Sequence, residues 1–140
     1  MKAVADGIEK GTFGMTEKQL IQAIRQVIKD NYLGKRINFG EPGRFKVNKY
    51  NIRSRKTICP KYEYEDYGID EDTQRFIIVE FYDQKDDLFA IGSCCCIFTL
   101  NSKGQFGTSD IPFDYELDGA YDFAINNMTD KILQYINNNF

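Results

Sequence analysis

Apolar residues in this 140-residue chain recur with two different periods, and the switches between them mark out its elements. Leu20, Ile21, Ile24, Val27, Ile28 and Leu33 fall at helical spacings on one stripe, which predicts an amphipathic helix with one buried face. Its start is carried by side chains. Thr16 supplies an N-cap, Gln19 stands three residues on to complete a capping box, and Met15 and Leu20 are spaced to close a hydrophobic staple across it. Gly34 ends the helix, with Lys29, Lys35 and Arg36 near the negative pole of its dipole.

Beyond Gly34 the period falls to two. Ile37 and Phe39 alternate with polar residues up to Gly40-Glu41-Pro42-Gly43, where Pro then Gly suits a type II turn, and a second strand starts at Arg44. Phe45 and Val47 share one parity while Tyr50, Ile52 and Ile58 share the other. One extra residue near Asn48 or Lys49, a β-bulge, reconciles them. With that bulge Arg44, Lys46, Lys49, Arg53 and Arg55 point away from the core.

Cys59-Pro60 then interrupts pairing, and residues 62–73 (YEYEDYGIDEDT) read as an acidic, tyrosine-rich loop. Strands resume at 76–82 and 88–100, joined by a hairpin loop at 83–87. Both are apolar on both faces, so they belong in the middle of a sheet covered on each side. Residues 101–104 (NSKG) signal a turn, and 105–107 add a short edge. A final helix follows, with Asp118 as N-cap and Tyr121, Ala124, Ile125, Met128, Ile132, Tyr135 and Ile136 as its apolar stripe. The expected fold is α+β: an N-terminal helix, a four- to five-stranded mainly antiparallel sheet, and a C-terminal helix packed on the sheet. Residues 1–15, with Gly7, Gly11 and Gly14, read as a flexible or irregular arm before a single domain over 16–140.

Charge divides this chain more sharply than its net value of -3 suggests. Residues 1–61 carry 14 basic and 5 acidic side chains, a net of +9, whereas residues 62–140 carry 4 basic and 16 acidic, a net of -12. Such segregation points to charged partners. The apolar run at 90–100 is far short of a membrane span, and the first fifteen residues hold no leader-like apolar stretch, so the expected location is the cytoplasm and no membrane partner is implied. Cys94, Cys95 and Cys96 are consecutive and cannot all pair with Cys59, which fits reduced, buried thiols in that compartment.

The chain contains no histidine, which removes His-dependent triads, Cys-His dyads and imidazole metal sites. No Cys-x-x-Cys pair, phosphate-binding loop or calcium loop is present, so no cofactor and no metal are implied and enzyme chemistry is disfavoured. One enzyme reading survives, a metal-dependent nuclease built on Asp83-x-Lys85 with Asp70, Asp72 and Glu80; a solvated hairpin loop explains the same residues.

Two stretches carry more. Tyr62, Glu63, Tyr64, Glu65, Asp66, Tyr67, Asp70, Glu71 and Asp72 combine anchoring rings with carboxylates, as a surface for a basic groove on another protein requires. Arg44, Lys46, Lys49, Tyr50, Arg53, Arg55 and Lys56 interleave basic groups with one ring, as a nucleic-acid backbone and base would. The leading expectation is a small protein-binding module, an inhibitor or adaptor of the kind that suits a phage or mobile element acting on host machinery. Nucleic-acid binding through the basic strand is the alternative. The two stretches are adjacent, so they can also neutralise each other, and charge segregation argues for a partner only where they do not.

Overall fold

A computed structural model describes residues 14–38, 44–82, 93–109 and 123–140 of the chain. Helix α1, Glu17–Asn31, forms where the periodicity places it, and its capping box is complete: the Gln19 N–H donates to Thr16 Oγ1 at 3.1 Å and the Thr16 N–H to Gln19 Oε1 at 3.0 Å. Leu20, Ala23, Ile24, Val27 and Ile28 are its buried stripe. The helix stops short of Leu33, which is exposed, because the chain turns at the Tyr32 cap and Tyr32 enters the core instead. Its ring stands edge-on to Phe81 and Phe123, with centroids 6.4 and 5.2 Å away.

Strands β1, Arg36–Asn38, and β2, Arg44–Lys46, pair antiparallel with Ile37 opposite Phe45. Phe39 and the Gly40 to Gly43 turn lie outside the described residues. In place of the expected bulge the structure has a change of partner. Val47 exchanges backbone bonds with the stretch after α1, its N–H donating to Lys35 O at 3.0 Å and its carbonyl accepting from Gly34 at 2.7 Å, while the next N–H, of Asn48, donates to Tyr82 O at 2.8 Å. The chain leaves one ladder and joins another, and this transfer resets the parity without a bulge.

Among the described residues the main sheet is four-stranded and antiparallel throughout, in the order β3 (Lys49–Arg55), β4 (Thr73–Tyr82), β5 (Ser93–Asn101), β6 (Phe106–Ser109). The strands expected to be central, β4 and β5, are central. Strand β3 ends at Arg55, so Ile58 does not extend its inward row; it packs with Tyr64 on the opposite side of the sheet. Residues 83–92, including the expected loop at 83–87 and the start of the second central strand, lie outside the described set.

One sheet face carries Ile77, Val79 and Phe81 from β4 and Cys96, Phe98 and Leu100 from β5, packed into a single core with both helices. Each fully buried Leu, Ile or Phe there contributes about 1.5–3 kcal/mol of gross stabilisation. Helix α2, Thr129–Asn139, is preceded by a π-helical turn, Ala124–Met128. Ala124, Met128, Ile132 and Ile136 are buried at four-residue intervals, but Ile125 is exposed, contrary to its place in the expected stripe. The wider i→i+5 turn keeps residues four apart aligned and carries those three apart off the face. Thr129 marks the turn, donating its hydroxyl to Ala124 O at 3.0 Å. Asp118 and Tyr121 lie outside the described residues. The helices touch side by side, with Gln22 Nε2 donating to Tyr135 Oη at 3.1 Å.

A backbone junction fastens the start of α1 to the far hairpin. The Gly14 N–H donates to Lys103 O at 2.7 Å and the Met15 N–H to Gly104 O at 3.2 Å. Residues 1–13 of the expected arm lie outside the described set.

Candidate functional site

The acidic stretch is a folded ledge rather than a simple loop. Pro60 starts one 3₁₀ turn, Lys61–Glu63, and Tyr64 joins it to a second, Glu65–Tyr67, before Gly68 reverses the chain at φ +68°. That left-handed geometry favours glycine. The reversal lets the Ile69 N–H donate to Tyr64 O at 2.9 Å. Tyr64 and Ile69 are thereby driven onto Phe76 and Ile97, on the sheet face turned away from the helices, with Ile58, Cys59 and Tyr67 packed around them. The Tyr64 ring meets Phe76 edge-on at 5.9 Å.

Folding in this way sorts the candidate residues. Tyr64 is core and Tyr67 is half-buried against it, whereas Tyr62 is 82% exposed. Glu65, Asp66 and Glu71 are exposed and Glu63 is half-exposed, so residues 62–66 present the Tyr62 ring together with carboxylates to solvent. Asp70 and Asp72 are bonded to the fold. Asp70 Oδ1 accepts the Asp72 N–H at 2.9 Å and Oδ2 accepts Asn101 Nδ2 at 3.2 Å. The Asp72 carboxylate accepts the Ser102 hydroxyl. The Asp72 N–H first, then the Asn101 amide, hold the Asp70 carboxyl below its ordinary range.

The basic stretch is split between the two faces. Exposure alternates along β3, with Lys49, Asn51, Arg53 and Arg55 exposed and Tyr50, Ile52 and Ser54 half-buried. Tyr50 and Ile52 pack on the helix-side core, so the Tyr50 ring stands on the opposite face from the row of charges rather than among them. Within that row Glu80 engages Arg53 at 3.2 Å and accepts Asn51 Nδ2 at 3.1 Å. Lys49 lies over the Tyr82 ring, 5.3 Å from its centroid. Arg55 and Lys56 are exposed, Lys46 is half-buried, and the side chain of Arg44 lies outside the described set.

Among the described residues the ion pairs are Arg53 with Glu80 and Arg75 with Glu17, and none joins the basic strand to the ledge. Sequence reasoning missed Glu80 as the partner of Arg53, Asn101 as the anchor of Asp70, and Ile69 as the anchor of the ledge. Ile69 had a signal, being a lone aliphatic residue inside an acidic run. Glu80 and Asn101 had none, because register alone brings them into place.

Of the carboxylates in the nuclease reading, only Asp70, Asp72 and Glu80 lie among the described residues. Asp70 and Asp72 precede β4 and Glu80 lies near its other end, roughly 25 Å away at about 3.3 Å per residue. Asp83 and Lys85 lie outside the described residues. Among the described residues no group of three Cys, Asp or Glu side chains is placed to hold a metal ion. A cleft of about 200 Å³ beside Asp70 is walled by Thr73, Thr99, Asn101, Gln105 and Gly107. The Asn101 amide there already donates to the Asp70 carboxylate and to Gln105 Oε1, and Thr73 Oγ1 is buried with no partner among the described residues. Cys96 is buried in the helix-side core and Cys59 packs under the ledge, so the sheet separates them. The side chains of Cys94 and Cys95 are outside the described set. No described helix is long and apolar enough to cross a membrane.

Comparison with protein-family models, curated proteins and solved structures finds no match for this chain.

Proposed function

We propose that this chain is a protein-binding module that docks through its acidic ledge onto a basic surface of a partner protein. The observation that carries the reading is the sorting of residues 62–66 on two successive turns: Tyr62, Glu65 and Asp66 are exposed and Glu63 partly so, while Tyr64 between them is buried in the core. A ring presented on a pre-ordered turn contributes contact area at low entropic cost, and the carboxylates steer approach. Among the described residues no ion pair engages Glu63, Glu65 or Asp66, which leaves these carboxylates for a partner to meet.

The test is affinity capture from host extract with wild type, with a Tyr62→Ala/Glu63→Ser/Glu65→Ser/Asp66→Ser variant, and with a Lys49→Glu/Arg55→Glu variant. The ledge variant is expected to lose one dominant partner at least tenfold while keeping the wild-type urea midpoint. The strand variant should retain that partner. Full capture by a folded ledge variant would show the ledge to be bystander surface.

A further inference from the structure

The sheet has a second surface that the ledge does not use. Strand β3 is at its edge, paired with β4 at all seven positions from Lys49 to Arg55, and among the described residues no strand lies on its other side. A strand in that position presents a row of backbone N–H and C=O groups suited to another extended chain. Nothing in its composition blunts it by shape: KYNIRSR contains neither proline nor glycine, and no residue in it breaks the alternation.

We propose that the outer edge of β3 accepts, by strand addition, an extended peptide in which acidic residues alternate with apolar ones. Both halves of that pattern follow from the strand. Tyr50 and Ile52 are half-buried on the helix-side core, so they carry apolar surface out to the rim of the sheet, where apolar side chains of an added strand would extend it. Lys49, Arg53 and Arg55 are exposed on the other face, where the alternate residues of the added strand would meet a basic row. The fold already contains one such pairing on the inner side. Glu80 of β4 stands opposite Asn51 and binds both Asn51 and Arg53, at 3.1 and 3.2 Å. A carboxylate on the outer neighbour answers Lys49 and Arg55 in the same way.

The charge row also narrows the choice of occupant. Two β3 edges brought together would set basic residues against basic residues, which disfavours a second copy at this edge. A nucleic acid would satisfy the charges, but the Tyr50 ring that would stack on a base faces the helix side of the sheet. An acidic and apolar strand uses the backbone row and both faces together.

The experiment is fluorescence anisotropy with the full chain and a labelled nine-residue peptide of alternating glutamate and valine. Saturable binding is expected, weaker by about tenfold or more in Lys49→Glu/Arg55→Glu, where cross-strand attraction becomes repulsion. A valine and lysine peptide should not bind. The same glutamate and valine peptide with alternate backbone amides N-methylated, tested on unaltered protein, should lose binding, because it can no longer donate to the ladder. Amide exchange at residues 49–55 should slow in the complex. Equal binding of the N-methylated peptide, no saturation up to about 1 mM, or a single-stranded oligonucleotide that binds while the peptide does not would each overturn the proposal. The Tyr62, Glu63, Glu65 and Asp66 variant should bind the peptide as wild type does, so failure of the ledge reading and failure of this one are separable.

Discussion

The Asp70 carboxylate links the ledge to the far hairpin of the sheet, taking the Asn101 amide on Oδ2 at 3.2 Å while Oδ1 caps the Asp72 N–H at 2.9 Å. Asn101 in turn accepts the N–H groups of Lys103 and Gln105 on Oδ1, each at 3.0 Å, so one amide side chain organises the turn between β5 and β6 and anchors the acidic stretch to it. The acidic run therefore has two parts with different physical roles. Asp70 and Asp72 bind other parts of the fold, whereas Glu65, Asp66 and Glu71 face solvent.

Replacing Asp70 by Ala removes both acceptors and is expected to cost about 1 kcal/mol at neutral pH. Folding lowers the Asp70 pKa below its ordinary value of 3.8, so its contribution is complete above that value and is lost as pH falls through the folded-state value. Urea melts at pH 7 and at successive steps below pH 4 should show the gap between wild type and Asp70→Ala closing in acid. A gap that stays constant across that range would mean the carboxylate charge is not what the fold uses.

The two tyrosines that flank Glu63 should respond in opposite ways. Tyr64→Ala empties a buried site against Phe76 and Ile69 and is expected to cost about 3 kcal/mol. Tyr62→Ala removes an exposed ring and should change stability by less than about 0.5 kcal/mol. Equilibrium urea unfolding of both variants checks the pair, and similar losses in the two would mean that the ledge is not anchored as described.

Gly104 sits at φ +79°, and a Cβ built on it would come within 2.3 Å of the Met15 backbone nitrogen and 2.4 Å of that of Gly14. Backbone on both sides leaves no flexible side chain to yield. Gly104→Ala is therefore expected to cost more than about 2 kcal/mol, from strain and from separating the hairpin from the start of α1. Gly34→Ala is the control. Its φ is +81° but nothing lies within 4 Å, so strain alone acts, at about 1–2 kcal/mol. Equal losses in the two would remove the steric argument.

Legibility in the sequence followed the range of the interaction. The capping box at Thr16 and Gln19, the stripe of α1 and the central place of β4 and β5 were readable because each depends on neighbours a few residues away or on a local apolar pattern. The transfer at Val47 was not, since a bulge and a change of ladder leave the same parity signal and only the partner strands distinguish them. Ile125 falls on the apolar stripe of a uniform helix but not on that of the real one, because the extra residue of a π turn leaves no mark in spacing. For the candidate residues, charge and ring content located both stretches. Which members face inward was decided by pairings across the sheet, such as Asn101 with Asp70 and Glu80 with Arg53, that no local pattern encodes.

Tyr32 tests the core itself. Its ring fills the space between Phe81 and Phe123, yet its hydroxyl is buried with no hydrogen-bond partner among the described residues. Burial pushes its pKa up from 10.0 to about 12, with the nearby Cys96 adding a smaller push in the same direction. The folded protein thus holds the phenol neutral at a pH where the unfolded chain ionises, so this contribution is complete below pH 10 and is lost as pH rises toward 12. Tyr32→Phe keeps the ring and removes the unpartnered oxygen, and it is expected to leave stability at pH 7 unchanged or raise it by up to about 1 kcal/mol. Above pH 10 the variant should retain stability that wild type loses, and ultraviolet titration of the folded protein should show one late-ionising tyrosine in wild type that the variant lacks. A Phe variant clearly less stable at pH 7 would mean that the hydroxyl has a partner in solution.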